Sequence, residues 1–362
     1  MKIASIFFHF SRNGFFNYHF FGNMFSITVI FLFPFFFMVN SCNNTESRPE
    51  RTIRETKKIT ANYDASAHME FYKKRIKTPE DTLPALPIKY GNGKYGFIDR
   101  TGRLVIEPKY KEARPFSGGM AAVKKYDKWG FINVSDSLVI NADFDDVGDF
   151  SAGIAPAQYR KKWAYFNKNG DTLTEFKYKA ATSFIDSIAV VTIEHTDQFE
   201  SLSRRWTFFI NTEFNNVFDR DFDFARPFSD GYAVVKEQGG ESFSVIDKKG
   251  NSVLDNLYYW HVGDYSDGAF IVNDQGKSWA IDINGKQLFK PVAAELDDFN
   301  EGYAVYYIEG EEGGYDLGYI NKKGEKVFEQ IYEYAGDFSN GLAPVAEWTG
   351  LHGTYKRGYI NT

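Results

Sequence analysis

Cysteine is nearly absent from this chain, which has one copy, Cys42, among 362 residues. No disulfide can therefore form within the chain. Histidine is also scarce, and the copies that follow Cys42 are isolated instead of being spaced as metal ligands. The sequence has no glycine-rich nucleotide loop, no Gly-x-Ser-x-Gly elbow and no His-Glu-x-x-His motif. These absences predict a chain with no cofactor, no metal site and no catalytic activity.

A concentrated charge of one sign is missing as well. The net charge is −6, from 48 acidic and 42 basic residues that are interspersed along the chain. Binding to nucleic acid requires a basic patch or stripe, and none is present. Nucleic acid is therefore excluded as an expected partner.

The only long apolar run stands near the N-terminus, from Phe25 to Val39, and Cys42 follows it closely. With the basic residues Lys2 and Arg12 before it, this layout predicts an export signal over residues 1–41. The stretch from Val39 to Cys42 resembles a bacterial lipobox, although Asn40 departs from that pattern. The resemblance implies that Cys42 is the lipidation site. The chain would then be anchored by acyl chains at the cell envelope, in the outer membrane or a periplasm-facing membrane.

An uncleaved membrane anchor is the alternative interpretation of this run. Its continuous apolar part is about 16 residues, shorter than the ~20 that span a bilayer, and Pro34 interrupts it. A translation start at Met24 would remove both basic residues and is also left open. Residues 42–93 are polar and rich in charge, and lack the apolar mass of a core. We expect them to form a flexible, lipid-anchored tether.

Aromatic residues and glycine are abundant, with 36 Phe, 23 Tyr and 31 Gly, and they recur in order. The first signature is an aromatic residue and Gly, then two apolar residues and Asp or Asn. Its copies, some with small slips, are Tyr95 to Asp99, Trp129 to Asn133, Trp163 to Asn167, Trp206 to Asn211, Phe243 to Asp247, Trp279 to Asp282, Leu317 to Asn321 and Arg357 to Asn361. Each copy has the length of one β-strand.

A turn signal follows each copy, because a glycine usually stands three residues after the Asp or Asn, as Gly102 does after Asp99. The Asp or Asn side chain can bond its own backbone, and glycine accepts a positive φ. The spacing predicts a β-hairpin in each unit. Asp136 and Phe214 replace the glycine in the second and fourth units, so we expect those hairpins to be looser.

The second signature is Phe-x-x-Gly followed by an alternating apolar strand, as in the stretch from Phe116 to Gly119. Consecutive copies are about 34 residues apart where nothing is inserted. A helical tetratricopeptide array has the same period. It is rejected here because the apolar positions alternate with period two and the segments end in turn glycines.

The two signatures together resemble the WG-repeat family, also called KWG repeats. Lys128 to Asn133 and Phe338 to Ala343 match the family pattern closely. The repeats cover residues 94–362, as seven units and the first strand of an eighth. We expect an all-β tandem repeat with three or more short antiparallel strands per unit. A β-propeller-like ring and an open β-solenoid both satisfy the pattern, and the ring is favoured.

Binding residues are predicted where the repeat is interrupted, because insertions in repeat proteins fall on one face and that face often binds. Three long connections fall at the same point of the unit, from Glu194 to Arg204, from Glu309 to Asp316 and from Glu347 to Lys356. The last two carry the candidate ligand-binding residues, which are Tyr315, Trp348, His352 and Tyr355. The repeated tryptophans Trp129, Trp163, Trp206 and Trp279 are instead predicted to lie in the core.

The sequence therefore favours an exported scaffold that binds a protein or a glycan of the bacterial cell envelope, with no catalysis. The alternative is a hydrolase that acts on carbohydrate with carboxylates. Acidic residues that recur just before Phe-x-x-Gly, namely Asp149, Asp264, Asp298 and Asp337, are better explained as part of the repeat. Calcium is disfavoured at Asp219, Asp221 and Asp223, because Phe224 stands where a calcium loop needs glycine.

Overall fold

The computed structural model describes residues 82–196, 203–310, 314–339, 341–348 and 355–361. They belong to one compact unit, Tyr63–Thr362. The predicted export signal, Cys42 and most of the predicted tether lie outside the described residues. No helix within the described ranges is long and apolar enough to cross a membrane.

The described chain is built from 26 antiparallel strands. They are β1 Pro84–Lys89, β2 Tyr95–Asp99, β3 Leu104–Tyr110, β4 Glu112–Ala113, β5 Met120–Lys125, β6 Lys128–Asn133, β7 Leu138–Phe144, β8 Asp146–Val147, β9 Ile154–Tyr159, β10 Lys162–Asn167, β11 Ala180–Ala181, β12 Ile188–Thr196, β13 Ser203–Asn211, β14 Phe222–Ala225, β15 Tyr232–Glu237, β16 Phe243–Asp247, β17 Ser252–Leu257, β18 His261–Val262, β19 Phe270–Asp274, β20 Lys277–Ile281, β21 Glu295–Leu296, β22 Tyr303–Glu309, β23 Tyr315–Asn321, β24 Tyr334–Ala335, β25 Leu342–Trp348 and β26 Tyr355–Asn361.

The strands form seven hydrogen-bonded sheets, and the seven-stranded one divides at a single residue pair, which gives eight small sheets with one plan. Sheets 1 to 8 consist, in order, of β1–β3, β4–β7, β8–β10, β11–β13, β14–β17, β18–β20, β21–β23 and β24–β26. In sheet 2, a two-residue strand in position one (β4) is followed by positions two, three and four (β5, β6 and β7). Sheet 1 has positions two to four (β1 to β3), and sheet 8 has positions one to three (β24 to β26). A single residue pair, Thr207 with Phe222, joins sheets 4 and 5. Because the sequence repeat begins with the position-three strand, each 34-residue unit contributes to two consecutive sheets.

The array begins earlier than predicted. Residues 84–89, assigned above to the flexible tether, form β1, which pairs along its length with β2. The amide of Phe116 also donates a hydrogen bond of 3.0 Å to the carbonyl of Ala85. The tether prediction is therefore wrong for this stretch. The polar composition of residues 42–93 favoured irregular chain, but β1 is an edge strand, and an edge strand tolerates the two prolines that it contains.

The turns after the position-three strands follow the predicted chemistry. The Asp99 carboxylate accepts hydrogen bonds from the amides of Thr101 (2.9 Å) and Arg103 (3.0 Å), and Gly102 has a φ of 89°. The second and fourth hairpins are not looser, because Asp136 (φ 61°) and Phe214 (φ 66°) adopt the same conformation and close the same turn. Tertiary contacts offset the backbone strain: Asp136 accepts a hydrogen bond from Tyr110, and Phe214 packs on Tyr165.

Seven buried clusters fill the spaces between consecutive sheets, and each contains residues of two neighbours. One sheet has too little apolar area to fold alone, so neighbours must stack. Trp129 and Trp163 are buried in these clusters, as predicted. Within the described ranges, no buried cluster joins sheet 8 to sheet 1, so closure of the ring stays a prediction.

Two of the predicted core tryptophans occupy other positions of the repeat. The strand pairing places Trp206 where sheet 2 has Lys128, and Trp279 where sheet 2 has Gly130. Both side chains are half-buried. Aligning the units by their aromatic residue assigned these two tryptophans to the wrong position of the repeat. The true position is defined by pairing with the position-two strand, and the aromatic residue stands at different places along the position-three strand.

Candidate functional site

Every sheet presents two ends with different connections. At one end, here called the hairpin end, the strands in positions two and three are joined, and the chain passes from each sheet to the next. In three units the joint is a two-residue turn with positive φ at both residues, as at Tyr126 and Asp127. These are the turns that suit the twist of a β-hairpin. The opposite, turn end carries the Phe-x-x-Gly turns and the glycine turns after position three.

The three long connections all lie at the hairpin end. They join positions two and three in sheets 4, 7 and 8, where the paired strands are also longer. Strands β12 and β13 pair over nine residues each, whereas β5 and β6 have six. The insertions therefore extend the same hairpin in three sheets.

Of the four predicted binding residues, Tyr315 is the one whose side chain is described. It begins β23 at the hairpin end, is 46% exposed, and its ring centroid lies 6.4 Å from that of Tyr307. Trp348 and Tyr355 pair through their backbones at the ends of β25 and β26. Their side chains and His352 lie outside the described residues.

Exposed aromatic side chains are concentrated at the hairpin end. Nine aromatic residues are exposed within the described ranges, and seven of them are at this end. The seven are Tyr90, Tyr126, Tyr159, Tyr258, Trp260, Tyr315 and Tyr334. The large apolar residues exposed at the turn end are aliphatic, such as Ile185 and Leu342.

Trp260 is the member of this set that departs most clearly from the repeat. It is 70% exposed and directly precedes the position-one strand of sheet 6. The corresponding residue elsewhere is polar or small: Lys111, Asp145, Lys179, Ala294 and Glu333. Trp260 was missed at the level of sequence because binding residues were predicted only in connections that carry an insertion. The aromatic run from Tyr258 to Trp260, in the connection between sheets 5 and 6, was the signal that could have revealed it.

Ion pairs cover the hairpin end of sheets 2 to 5. They are Lys111–Asp127, Lys128–Asp145, Lys179–Glu194 (3.2 Å), Arg205–Glu194 (3.2 Å) and Arg220–Glu237 (3.6 Å). The exposed aromatic residues Trp260, Tyr315 and Tyr334 belong to sheets 6 to 8. The aromatic side chains there are available for a partner.

The last two sheets are also strongly acidic. Residues 295–362 contain thirteen acidic and five basic residues. At the hairpin end, Tyr307 donates a hydrogen bond to Asp297. Burial and the neighbouring carboxylates of Asp297 and Asp337 raise the pKa of Tyr307, so its hydroxyl remains protonated and acts as a donor. Phenol donors, carboxylate acceptors and aromatic rings thus occur together there.

The position-one strands bring together some of the recurring acidic residues. Asp298 in sheet 7 accepts a hydrogen bond of 3.3 Å from the amide of Asp264 in sheet 6. Arg226 in sheet 5 pairs with Asp264 at 3.4 Å. Burial and the negative charge of Asp264 raise the pKa of Asp298 to about 7. Among the described residues, no three His, Cys, Asp or Glu side chains are grouped to hold a metal ion.

The fold defines a class: an all-β repeat protein made of small antiparallel sheets packed in series. A crystal structure of the eukaryotic initiation factor, which is propeller-like, superposes with a TM-score of 0.50 at 13% identity, over 77% of this chain and 86% of that one. Apo AztD from Citrobacter koseri (TM-score 0.41, 13% identity, 73% and 88%) and a streptogramin B lyase (0.33, 12%, 74% and 91%) are weaker matches.

The repeats themselves have a family. Residues 95–129, 129–163, 163–194, 208–240 and 318–347 match the model of the WG containing repeat. Five units of the chain are therefore WG repeats, as the aromatic-Gly and Phe-x-x-Gly signatures predicted. No curated protein matches it by sequence.

Proposed function

We propose that this chain is an exported, lipid-anchored scaffold that binds a protein or a glycan of the bacterial cell envelope through the hairpin end of its sheets. The observation that carries the proposal is the concentration of exposed aromatic side chains at that end, led by Trp260 and including Tyr258, Tyr315 and Tyr334. Aromatic rings are the side chains that most often anchor a partner.

The placement of these residues supports binding over a purely structural role. A purely structural spacer needs only the residues that are buried between its sheets, and the buried clusters already provide them. A 70% exposed tryptophan contributes little to folding and exposes apolar area to water. The residue at this position is polar or small in the other sheets, and contact with a partner explains the tryptophan here.

Affinity capture from envelope extract tests the proposal. The full chain is compared with a variant that carries Trp260→Ala, Tyr258→Ala and Tyr315→Ala. The control is Tyr359→Ala, which removes a 73% exposed tyrosine from β26, away from the hairpin end. We expect one partner to be retained by the full chain and the control but lost by the triple variant. Equal capture by all three would contradict the proposal.

A carboxylate-dependent hydrolase is the second candidate, and one observation favours it. Asp298, whose pKa is raised by burial to about 7, lies beside Asp264, and general acid–base catalysis uses a pair of neighbouring carboxyl groups. Both residues occupy repeated positions, which favours a structural role. Carbohydrate hydrolysis that Asp298→Asn abolishes, with folding unchanged, would support the hydrolase.

A further inference from the structure

A cleft lies on the side of the array between sheets 2 and 3. It has two adjoining cavities of about 260 and 540 Å³, which share Asp143, Phe144 and Phe166. The cleft runs along β7, from Gly170 near the turn end to Lys128 and Tyr159 at the hairpin end. It thus opens onto the surface proposed above to bind envelope components.

The irregular outer segment of sheet 3 accounts for the cleft. In sheet 2 position four is a seven-residue strand, β7, whereas in sheet 3 the backbone of residues 172–178 pairs with that of β10 only at Thr172, Leu173 and Tyr178. Between these contacts the backbone leaves the sheet, and Phe176 is left 37% exposed. The space beside β7 is therefore not filled by a strand.

The floor of the cleft is a row of four aromatic rings. Phe144 packs on Phe166 with centroids 5.1 Å apart, Phe166 on Phe176 at 5.8 Å, and Phe176 on Tyr159 at 5.8 Å. Phe144 and Phe166 are buried, whereas Tyr159 and Phe176 are partly exposed. The floor can therefore pack against an apolar face of a ligand without rearrangement of the core.

The rim supplies hydrogen-bonding groups that the protein itself does not use. Asn141, Asp143, Asn169 and Thr172 are exposed, and their side chains have no hydrogen-bond partner among the described residues. Amide and hydroxyl groups both donate and accept. The ammonium group of Lys128 is already paired with Asp145. A complementary ligand therefore offers many neutral hydrogen-bond donors and acceptors.

We propose that this cleft binds a neutral oligosaccharide chain. A sugar ring has an apolar face for the aromatic floor and hydroxyl groups for the amide, hydroxyl and carboxylate rim. The cleft carries charges of both signs, with Asp143 near Lys128 and near Arg160, whose guanidinium lies 5.1 Å from the Tyr159 ring centroid, so neither a polyanion nor a polycation is favoured. This proposal rests on the proposed function in one respect, namely that the oligosaccharide comes from the cell envelope.

Calorimetric titration of the purified full chain with cellotetraose and with chitotetraose tests the proposal. We expect one of the two sugars to bind, and Phe176→Ala or Asp143→Ala to weaken binding about tenfold or more, because each removes a direct contact. Glu107→Ala is the matched control, since Glu107 occupies in β3 the place of Asn141 in β7. If Phe176→Ala lowers the denaturation midpoint, Phe176→Leu keeps the volume and removes the aromatic face.

The outcomes separate this proposal from the proposed function. Loss of sugar binding in the cleft variants, with the control and Trp260→Ala unchanged, supports the cleft. Binding of neither sugar overturns the cleft proposal and leaves the hairpin end untouched. Sugar binding that Trp260→Ala removes and Phe176→Ala does not would overturn the cleft and place the glycan at the hairpin end. Binding of an uncharged extended peptide in the cleft, without sugar binding, would overturn it as well.

Discussion

Gly130 in β6 lies directly against the backbone of Ile140 in β7. A β-carbon added to Gly130 would be 2.5 Å from the Ile140 carbonyl oxygen. Gly96 has the same relationship with Ile106 in sheet 1, at 2.4 Å. The glycine of the aromatic-Gly signature is therefore explained, at these two positions, by the close approach of the position-four strand. Gly358 is consistent with this reason, because β26 has no position-four strand beside it among the described residues and nothing lies within 4 Å of the added β-carbon.

Gly130→Ala should destabilise the protein, whereas Gly358→Ala should not. The added methyl group at Gly130 would force β6 and β7 apart, and overpacking of this kind costs about 1–3 kcal/mol. The same methyl group at Gly358 meets open space. Denaturant unfolding of both variants measures the difference. An equal shift of the two midpoints would contradict this account of the motif.

Acidic side chains connect the Phe-x-x-Gly turns of consecutive sheets. Asp267 accepts a hydrogen bond from the Gly302 amide in the next sheet and forms an ion pair of 2.8 Å with Lys322. Asp267→Ala should lower the free energy of unfolding by about 1–3 kcal/mol, because a charge-assisted hydrogen bond is lost. Asp267→Asn retains an acceptor oxygen and should lose less. Thermal unfolding at low and high salt measures both, and identical losses would argue against the connection.

The raised pKa of Asp298 predicts a pH-dependent stability. Burial and Asp264 raise its pKa to about 7 in the folded chain, Arg226 opposes the shift, and Asp297 adds to it. An unfolded aspartate has a pKa of about 3.9. The folded chain therefore holds an extra proton between these values, so stability should fall as pH rises from about 4 to about 7, by at most ~1.4 kcal/mol per pH unit.

Asp298→Asn resembles the protonated carboxyl and should flatten this pH dependence. Unfolding free energies at pH 5 and pH 8 provide the measurement. If the native chain and the variant lose equal stability between these pH values, Asp298 does not titrate as described.

Cys42→Ser tests the proposed anchor, since serine cannot receive the thioether-linked lipid of a lipoprotein. We expect the variant to leave the membrane fraction and to carry no acyl chains by mass spectrometry. The native chain should remain with the membrane, because two acyl chains are enough for stable attachment. Retention of the variant in the membrane fraction would rule out the lipid anchor.

Much of the fold could be predicted from the sequence, because its signals are local. The eight position-three strands, and the turns that follow the first seven, were predicted from the aromatic-Gly signature and from Asp or Asn before a turn residue. The all-β repeat and its family are confirmed. The looser hairpins at Asp136 and Phe214 were wrongly predicted, because contacts with Tyr110 and Tyr165, distant in sequence, hold those turns.

The candidate site was harder to predict, since exposure depends on the register between strands. Trp279 and Trp260 are both tryptophans of the repeat region, but one packs on Tyr259 and the other faces solvent. Composition does not distinguish them. The rule that function lies where the repeat breaks selected Tyr315, which is exposed at the hairpin end and whose role in binding stays a prediction. Applied to connections without an insertion, the same rule would have identified Trp260.

Photo-crosslinking in cells that produce the full chain tests the central claim, that the hairpin end contacts an envelope partner. Benzoylphenylalanine is introduced in place of Trp260 and, in a separate chain, in place of Tyr359, which is equally exposed on β26. The account predicts a discrete cross-linked product from position 260 and none from position 359. No product from position 260, or the same products from both positions, would contradict it.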